Sequence, residues 1–232
     1  MANQMEYFDK RAQEWWPPKK DLKFLFKANP LRFEYFDGFI GDWNGKRVLD
    51  VGCGGGYTCE YLARRSASVT GTDLSTGSLE AARNHARESG LEIDYLVCDE
   101  KSLPFPDASF DVVTCFDVLE HIEDKKATLG EIHRVLKPDG LYFFDTLNQS
   151  FWSRLIIIWL GEMVFRSEGG AHVWDLMIKP EDLASVLEQT RFTDARLAGV
   201  EFRFPPGSSK GLPLRIEPEG HKSIIYFGSA RK

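Results

Sequence analysis

The run Gly52-Cys53-Gly54-Gly55-Gly56 closes the short apolar segment Arg47–Gly52 and constrains the fold of this chain more than any other feature. A compact apolar segment bounded by glycine is typical of a strand that is buried on both faces, and Tyr57–Ser66 behind it reads as a helix. Glycines at such a turn let the backbone approach a ligand closely, while the start of the helix offers unpaired N–H groups. The sequence therefore predicts a ligand-binding loop between a buried strand and a helix.

Short apolar runs and helix-like stretches alternate along the rest of the chain. Strand-like runs lie at Ala67–Asp73, Asp94–Asp99, Phe110–Asp117 and Leu141–Leu147, and helix-like stretches lie at Ser75–Gly90, Lys125–Lys137 and Pro180–Gln189. We expect Ser75 to cap the first of these helices and Gly90 to end it, and Pro180 to be the first helical residue of the last. We expect Thr193–Phe204 and Ser223–Ala230 to be antiparallel strands at the edge of the sheet. Because alternating strands and helices pack as a parallel sheet covered on both sides, the pattern predicts an α/β fold. Its sheet would be Rossmann-like, seven-stranded and mostly parallel, with helices on both faces.

Length and composition narrow what this fold can be. The 232 residues suit a single domain, 1–232, in which 1–44 form an N-terminal helical cap and 148–179 form an apolar insert. The formal net charge of −6 disfavours nucleic-acid binding. The chain contains no run of about 18 uncharged apolar residues, the length that spanning a bilayer would need. The four cysteines form no C-x-x-C pair and the first residues lack a secretory leader, so we expect a cytoplasmic protein.

A second feature, Asp73, narrows the class of ligand. It ends the strand after the glycine run, about 20 residues on, where a carboxylate can accept hydrogen bonds from both ribose hydroxyls. The dinucleotide pattern G-x-G-x-x-G would need glycine at position 57, which is Tyr57 here. Ribose recognition without that pattern favours an adenosine-bearing cofactor other than a nicotinamide dinucleotide. S-adenosylmethionine fits, because its sulfonium suits an acidic pocket.

Three segments together resemble the class I S-adenosylmethionine-dependent methyltransferases, namely Val48–Gly56, Leu103–Asp111 and Arg134–Gly140. A narrower resemblance, to the ubiquinone-biosynthesis 3-O-methyltransferases, covers most of the chain. It is carried by Asn29-Pro30-Leu31-Arg32, Asp111-Val112-Val113-Thr114-Cys115, Leu119-Glu120-His121, Thr146-Leu147-Asn148 and Ile178-Lys179-Pro180. The resemblance implies methyl transfer from S-adenosylmethionine to a small aromatic substrate, a hydroxyl of a catechol-type, polyprenylated quinone precursor.

The resemblance also implies which residues bind the cofactor. Arg32 would hold the methionine carboxylate, and Phe116 would lie against the adenine. Asp99 would accept a hydrogen bond from the adenine amino group, with Glu100 as the competing candidate. The remaining predicted cofactor contacts are Gly52, Gly54, Asp73 and Leu74.

Asp117, Glu120 and His121 have the i, i+3, i+4 spacing of one helical face. Two carboxylates and an imidazole there would suit Mg²⁺. The resembled family assigns a metal to three such side chains, with glutamate where this chain has Asp117. We therefore expect Mg²⁺ as a second cofactor. The alternative stays open that Asp117 caps a helix while the other two side chains only line the crevice.

The insert contains Phe151–Phe165, whose apolar residues cover most of a helical wheel rather than one stripe. As a helix it would be about 22 Å long, too short for a bilayer core of about 30 Å. Four interpretations remain open: a cover for a greasy substrate, docking on the inner face of the membrane, burial in a homodimer, and a place in the core. In the resembled family this insert is where contact with membrane lipid is expected.

Methyl transfer to a phenol also needs a proton acceptor. His121 is one candidate, and His172, which follows Gly169-Gly170-Ala171 in a turn near the crevice, is the other. A metal that lowers the pKa of the hydroxyl would be a third route. Two other functions stay open: a methyltransferase for another small molecule or natural product, and a non-catalytic cofactor-binding subunit of a biosynthetic complex.

Overall fold

The computed structural model describes residues 8–19, 22–155, 174–202 and 214–232. The longer helices within these residues, each of more than one turn, are α1 (Leu22–Ile40), α2 (Tyr57–Ala63), α3 (Thr76–Glu88), α4 (Lys125–Val135) and α5 (Pro180–Gln189). The strands are β1 (Arg47–Val51), β2 (Ser68–Asp73), β3 (Asp94–Val97), β4 (Phe110–Cys115), β5 (Leu136–Leu147), β6 (Thr193–Phe202), β7 (Leu214–Glu217) and β8 (Ile225–Arg231).

All eight of these strands belong to one sheet, in the order β3-β2-β1-β4-β5-β8-β6-β7. Strands β1 to β5 are parallel, and β8, β6 and β7 follow as antiparallel neighbours. The predicted α/β class, the mostly parallel sheet and the antiparallel pairing of the last two predicted strands are confirmed. The predicted number of seven strands was wrong, because Leu214–Glu217 adds an edge strand too short to show a period in the sequence.

Alternate side chains of the strands build a separate apolar core on each face of the sheet. On one face, Val48, Val69 and Val112 pack with the buried residues of α1, α2 and α3. On the other face, Leu49 and Val113 pack with those of α4 and α5. Because both faces are covered, the strands are apolar on both sides, as the compact apolar runs of the sequence predict.

Helix α1 is continuous through Pro30, whereas the prolines of this region predict helices broken by proline. Proline removes a backbone N–H and its bond to the preceding turn. The turns after Pro30 are nevertheless fixed, because Phe33 and Phe36 are completely buried. The Phe36 ring stacks on that of Phe143 in β5 with 4.6 Å between centroids. This packing holds the second half of α1 against the sheet.

Two glycines give a matched test of the helix bounds. Gly130 lies within α4, and a Cβ there would meet no heavy atom within 4 Å. Gly130→Ala should therefore raise the free energy of unfolding by about 0.5–1 kcal/mol, since alanine is the better helix former. Gly90 follows α3, where it was predicted to end the helix, and has a φ of +67°. A Cβ there would likewise meet no heavy atom within 4 Å.

Gly90→Ala should lower the free energy of unfolding by about 1–2 kcal/mol, because the left-handed conformation crowds a Cβ. Urea denaturation followed by circular dichroism measures both variants against the wild type. Shifts of the same sign in the two variants would contradict the position of Gly130 inside α4 and of Gly90 beyond the end of α3.

Candidate functional site

A cavity of about 360 Å³ lies at the carboxyl ends of β1, β2, β3 and β4. In a parallel sheet these ends lie side by side, so loops from several strands share one crevice. The residues that line it are Phe8, Trp15, Leu25, Arg32, Asp50, Val51, Gly52, Cys53, Gly54, Tyr57, Thr58, Thr72, Asp73, Leu74, Ser75, Cys98, Glu100, Phe116, Asp117, Val118, His121 and Ile122. Every predicted cofactor contact except Asp99 is among them.

The glycine loop is braced by Asp73 at the end of β2. Gly52 and Gly54 adopt left-handed φ values of +70° and +51°, which favour glycine. A Cβ on Gly54 would lie 2.6 Å from the Trp15 indole, so the loop also has no room for a side chain there. Asp73 accepts hydrogen bonds from the backbone N–H groups of Gly54 and Ser75, both at 2.8 Å. The carboxylate predicted to bind ribose therefore also fixes the loop beside it.

Two acids, the buried Asp50 and the half-buried Asp73, give this end of the cavity its acidic character. Burial raises the pKa of Asp73, and the backbone N–H groups bound to it oppose the rise. Asp50 in β1 is 3% exposed and accepts a hydrogen bond from the Thr114 hydroxyl at 2.6 Å. Burial raises the pKa of Asp50 to about 6, although hydrogen bonds from Thr114 and Cys59 oppose this. Asp50 was not predicted as a site residue, although an acid inside an otherwise apolar strand was a signal for it.

The loop after β3 presents Glu100, rather than Asp99, to the cavity. The Asp99 side chain is 45% exposed, accepts from the Lys101 backbone N–H at 2.8 Å and pairs with the Lys101 ammonium at 3.6 Å. Glu100 lines the cavity, and burial raises the pKa of its carboxyl. The prediction that Asp99 meets the adenine amino group is thus not supported, because the loop turns that side chain outward. Glu100 is the acid that the structure brings to this position.

Arg32 is a nearly buried cation, 3% exposed, in the wall of the cavity. Its Nε donates to Asp145 of β5 at 2.6 Å, and its two Nη atoms donate to Asp117 and, at 3.3 Å, to Asn29. Burial would lower the pKa of Arg32, but the carboxylates of Asp117 and Asp145 raise it above its ordinary value. The guanidinium therefore stays charged and can bind a carboxylate in bidentate fashion. Its contact with a methionine carboxylate stays a prediction.

Phe116, which the resemblance places against adenine, lies on the Arg32 side of the cavity. The guanidinium carbon of Arg32 is 4.7 Å from the centroid of the Phe116 ring. Phe116 directly follows β4, whereas Asp73 ends β2, and β1 lies between these strands. Neighbouring strands are about 4.8 Å apart, so about 10 Å separates these two strand ends. The structure therefore does not bring Phe116 to the acids predicted at the adenosine end.

Asp117, Glu120 and His121 do not share the predicted helical face. Asp117 has a left-handed φ of +56°, and the helical geometry is limited to a short 3₁₀ turn at Leu119–His121. The cap of this turn is Val118, so the alternative role of Asp117 as a helix cap was also wrong. The sequence spacing failed because the chain turns sharply directly after β4.

The side chains of the same three residues do not fit a magnesium site. Asp117 forms an ion pair with Arg32. Glu120 is 1% exposed and accepts a hydrogen bond from the Thr146 hydroxyl at 2.9 Å. Across the described ranges, no group of three or more His, Cys, Asp or Glu side chains is placed to hold a metal ion. We derive no chemical step through a metal at this site.

The N-terminal segment packs on the glycine loop, a contact that was not predicted from the sequence. Trp15 is 4% exposed, lies against Gly54, and donates from its indole nitrogen to the Ser78 hydroxyl at 3.1 Å. Trp16 donates to the Gly55 carbonyl at 2.8 Å. The Trp15-Trp16 pair could have indicated this contact, because two adjacent large aromatic side chains are expected to pack against another part of the protein.

Asp9 anchors the same segment to the start of α3. Its Oδ1 accepts from the Ser75 hydroxyl at 2.6 Å and from the Gly77 N–H at 2.9 Å. Ser75 is the N-cap of α3, as predicted, and its hydroxyl accepts from the Ser78 N–H. An acid at a helix start is favourable, because it satisfies free N–H groups and meets the positive end of the helix dipole. The N-terminal segment is thus bound both to the glycine loop and to the start of α3, the two elements between which Asp73 lies.

His121 is the histidine that the described residues bring to the cavity. Its ring meets that of Phe8 edge-on, with 6.2 Å between centroids. The middle of the predicted apolar insert, 156–173, lies outside the described residues. This range includes His172, the other predicted base. At the near end of the insert, Phe151 and Trp152 are 70% and 53% exposed. Among the described helices, none is long and apolar enough to cross a membrane.

Three comparisons with known proteins bear on what this cavity does. A family model described as a methyltransferase domain matches residues 49–144. A ubiquinone biosynthesis O-methyltransferase of Pasteurella multocida is 36% identical over 210 residues, which cover 86% of this chain and 87% of the relative. Another of that name, from Idiomarina loihiensis, is 41% identical over 197 residues, which cover 84% and 81%.

A crystal structure from Thermotoga maritima has the same fold, with a TM-score of 0.69 at 18% identity and 99% of each chain covered. That protein is described as an S-adenosylmethionine-dependent methyltransferase and a possible histamine N-methyltransferase.

Glu120 gives the site a testable electrostatic property. Burial raises the pKa of this carboxyl above its ordinary value of 4.5, and the nearby Asp117 carboxylate raises it further. The folded protein therefore keeps this proton at pH values where the unfolded chain has lost it, so stability falls as the pH rises above 4.5. Glu120→Gln cannot ionise but can still accept from Thr146. It should be more stable than the wild type, by an amount that grows with pH.

Between pH 5 and pH 9 we expect this advantage to grow by on the order of a few kcal/mol, since one pKa unit corresponds to about 1.4 kcal/mol. Urea denaturation at each pH measures it. Glu123→Gln is the matched control, because Glu123 is exposed. A constant difference between Glu120→Gln and the wild type would show that Glu120 ionises normally in the fold.

Proposed function

This chain belongs to the family of the ubiquinone biosynthesis O-methyltransferases, and we propose that it methylates a hydroxyl of a catechol-type, polyprenylated quinone precursor. It is an S-adenosylmethionine-dependent O-methyltransferase. The observation that carries the proposed substrate is the identity of 36% over 86% of the chain with an enzyme of that pathway. The geometry of the cavity supports it in three ways, through its acidic end, its buried cation and its apolar wall.

The acidic end fits an adenosyl group. Asp73 would accept hydrogen bonds from the ribose hydroxyls beside the loop at Gly52 and Gly54, and Glu100 would accept one from the adenine amino group, since both acids line the cavity. Across the sheet, Arg32 would hold the carboxylate of the methionine part. From β3 to β4 the cavity crosses three strand spacings, about 14 Å, so one extended cofactor can reach from Glu100 to Arg32.

The apolar wall fits an aromatic acceptor. Phe8, Leu25, Val118 and Ile122 line the cavity together with the acids. Methyl transfer is a displacement in which the acceptor oxygen bonds to the methyl carbon while the sulfur leaves with the electron pair. When a phenolate attacks a sulfonium, opposite charges neutralise each other, and a dry, apolar site assists such a step. Holding oxygen, carbon and sulfur in line supplies most of the remaining rate.

We assign the proton transfer to His121. Among the described residues that line the cavity it is the one imidazole, and imidazole is an effective base near neutral pH. The acceptor hydroxyl would lose its proton to this ring as its oxygen attacks the methyl carbon. His172 remains the alternative, because it lies outside the described residues.

A panel of acceptors tests the proposed substrate. The purified protein with S-adenosylmethionine should methylate a short-chain prenylated catechol with a kcat/KM about tenfold or more above that of the unprenylated catechol. The reason is that each CH₂ group removed from water contributes about 0.8 kcal/mol. Product formation is followed by mass spectrometry. Equal rates on both catechols, or turnover restricted to non-aromatic acceptors, would point to a different small-molecule methyltransferase.

The same preparation tests the cofactor assignment. Asp73→Ala should weaken S-adenosylmethionine binding by about 1.5–3 kcal/mol for each charged hydrogen bond lost, without unfolding the protein. Asp99→Ala is the matched control, because its side chain does not line the cavity and should leave the affinity unchanged. Titration calorimetry measures both variants. Equal affinity in Asp73→Ala and Asp99→Ala would reject Asp73 as the ribose ligand.

We also propose that the apolar insert docks reversibly on a membrane surface, where a polyprenylated substrate resides. The described start of the insert supports this, since Phe151, Trp152 and Leu155 are exposed by 70%, 53% and 39%. With a net charge of −6, attraction to anionic lipid is weak, so binding must depend on buried apolar area.

Phosphatidylcholine vesicles should therefore carry the protein down on centrifugation at both low and high salt. The Phe151→Ser/Trp152→Ser variant should pellet several-fold less, because it removes two exposed rings. Phe24→Ser is the matched control, since Phe24 is 49% exposed on α1, outside the insert. Equal pelleting of all three proteins would assign the insert to folding or self-association instead.

A further inference from the structure

Asp145 is a buried acid that has no part in the methyl transfer described above. It lies in β5 with 0% exposure and is not among the residues that line the cavity. A carboxylate is costly to bury unless it is paired, and its neighbours Phe143 and Phe144 in the strand are also fully buried. An acid in so apolar a strand indicates that its carboxylate makes specific interactions that offset the cost of burying it.

Both oxygens of Asp145 are in use. One accepts from the Nε of Arg32 at 2.6 Å, and the other accepts from the backbone N–H of Asp117 at 2.8 Å. One carboxylate therefore fixes a side chain from α1 and the turn that follows β4. These are the two elements that form the Arg32 side of the cavity.

The contacts of Arg32 leave it ready for a ligand. A guanidinium has five N–H donors, and the contacts with Asp145, Asp117 and Asn29 use three of them. Because Nε is bound to Asp145, rotation of the planar group about its last side-chain bond is restricted. The Phe116 ring, 4.7 Å from the guanidinium carbon, limits its tilt. The two remaining N–H groups thus have a defined direction.

We propose that Asp145 is a positioning residue for the cofactor: it aims Arg32 at the methionine carboxylate without touching the cofactor itself. This rests on the proposed function, in which Arg32 holds that carboxylate. Asp117 also pairs with Arg32, but it lines the cavity and is 23% exposed, so it can meet a ligand directly. Asp145 contacts the guanidinium but does not line the cavity, so it can act on a ligand only through Arg32.

Two probes separate positioning from general support of the fold. S-adenosylhomocysteine carries the amino-acid carboxylate, and 5′-methylthioadenosine has the same nucleoside without it. In Asp145→Asn, titration calorimetry should show about ten- to a hundredfold weaker binding of S-adenosylhomocysteine, the range expected for one charged hydrogen bond. Binding of 5′-methylthioadenosine should change less than twofold. A purely structural role would weaken both ligands together, which would overturn the proposal.

The Arg32→Gln variant distinguishes two hypotheses: that Asp145 positions Arg32, and that Arg32 binds the methionine carboxylate. If Arg32→Gln does not selectively weaken S-adenosylhomocysteine, the assignment of the carboxylate to Arg32 is wrong. If it does and Asp145→Asn does not, Asp145 has no positioning role. In the Arg32→Gln background, adding Asp145→Asn should cause no further selective loss, because Asp145 acts only through Arg32.

Glu60→Gln is the matched control. Glu60 is a buried carboxylate paired with Arg64 at 3.1 Å and does not line the cavity, so both ligands should bind it as they bind the wild type. If Asp145→Asn yields no folded protein, Asp145→Ser replaces it, because serine keeps an oxygen acceptor for the Asp117 N–H. Wild-type selectivity between the two ligands in Asp145→Ser would equally reject the proposal.

Discussion

The five parallel strands impose the constraint on which the rest of the site depends, because they bring the loops after β1, β2, β3 and β4 to one edge of the sheet. Each loop delivers its own chemistry there: the glycine turn, Asp73, Glu100, and the turn at Asp117. A cavity this wide cannot be built by one loop, since it spans three strand spacings. The geometry of hydrogen-bonded strands therefore fixes how far apart the two ends of a bound ligand lie.

Acidic side chains outnumber basic ones along that edge of the sheet. Asp50, Asp73, Glu100 and Asp117 line the cavity, and Arg32 is the cation that the described residues place among them. Two carboxylates already flank Arg32, so the cavity as a whole is acidic. Such a site favours a ligand that carries a positive charge along its length and a single negative group at one end. S-adenosylmethionine has this distribution, because its sulfonium lies between the nucleoside and the carboxylate.

Local features could be predicted from the sequence, and long-range pairings could not. The glycine loop, the Ser75 cap and Pro180 at the start of α5 were confirmed, because turn and cap chemistry involves residues within a few positions of each other. The metal site failed because a left-handed turn at Asp117 broke the assumed helical spacing. Trp15 and Asp145 were missed because their partners are 63 and 113 residues away, beyond the reach of any periodicity.

The anchoring of the N-terminal segment has a consequence for synthesis of the chain on the ribosome. Asp9 and Trp15 leave the ribosome before Ser75, Gly77 and Ser78, from which 63 to 68 positions separate them, and Arg32 precedes Asp145 by 113. At about 5–20 residues per second, Arg32 waits on the order of ten seconds for its partner. The tryptophan side chains of the segment remain uncovered until the glycine loop and the start of α3 have been made. The binding cavity is therefore completed only once β5 has been made, although two of its walls come from residues that are made well before that strand.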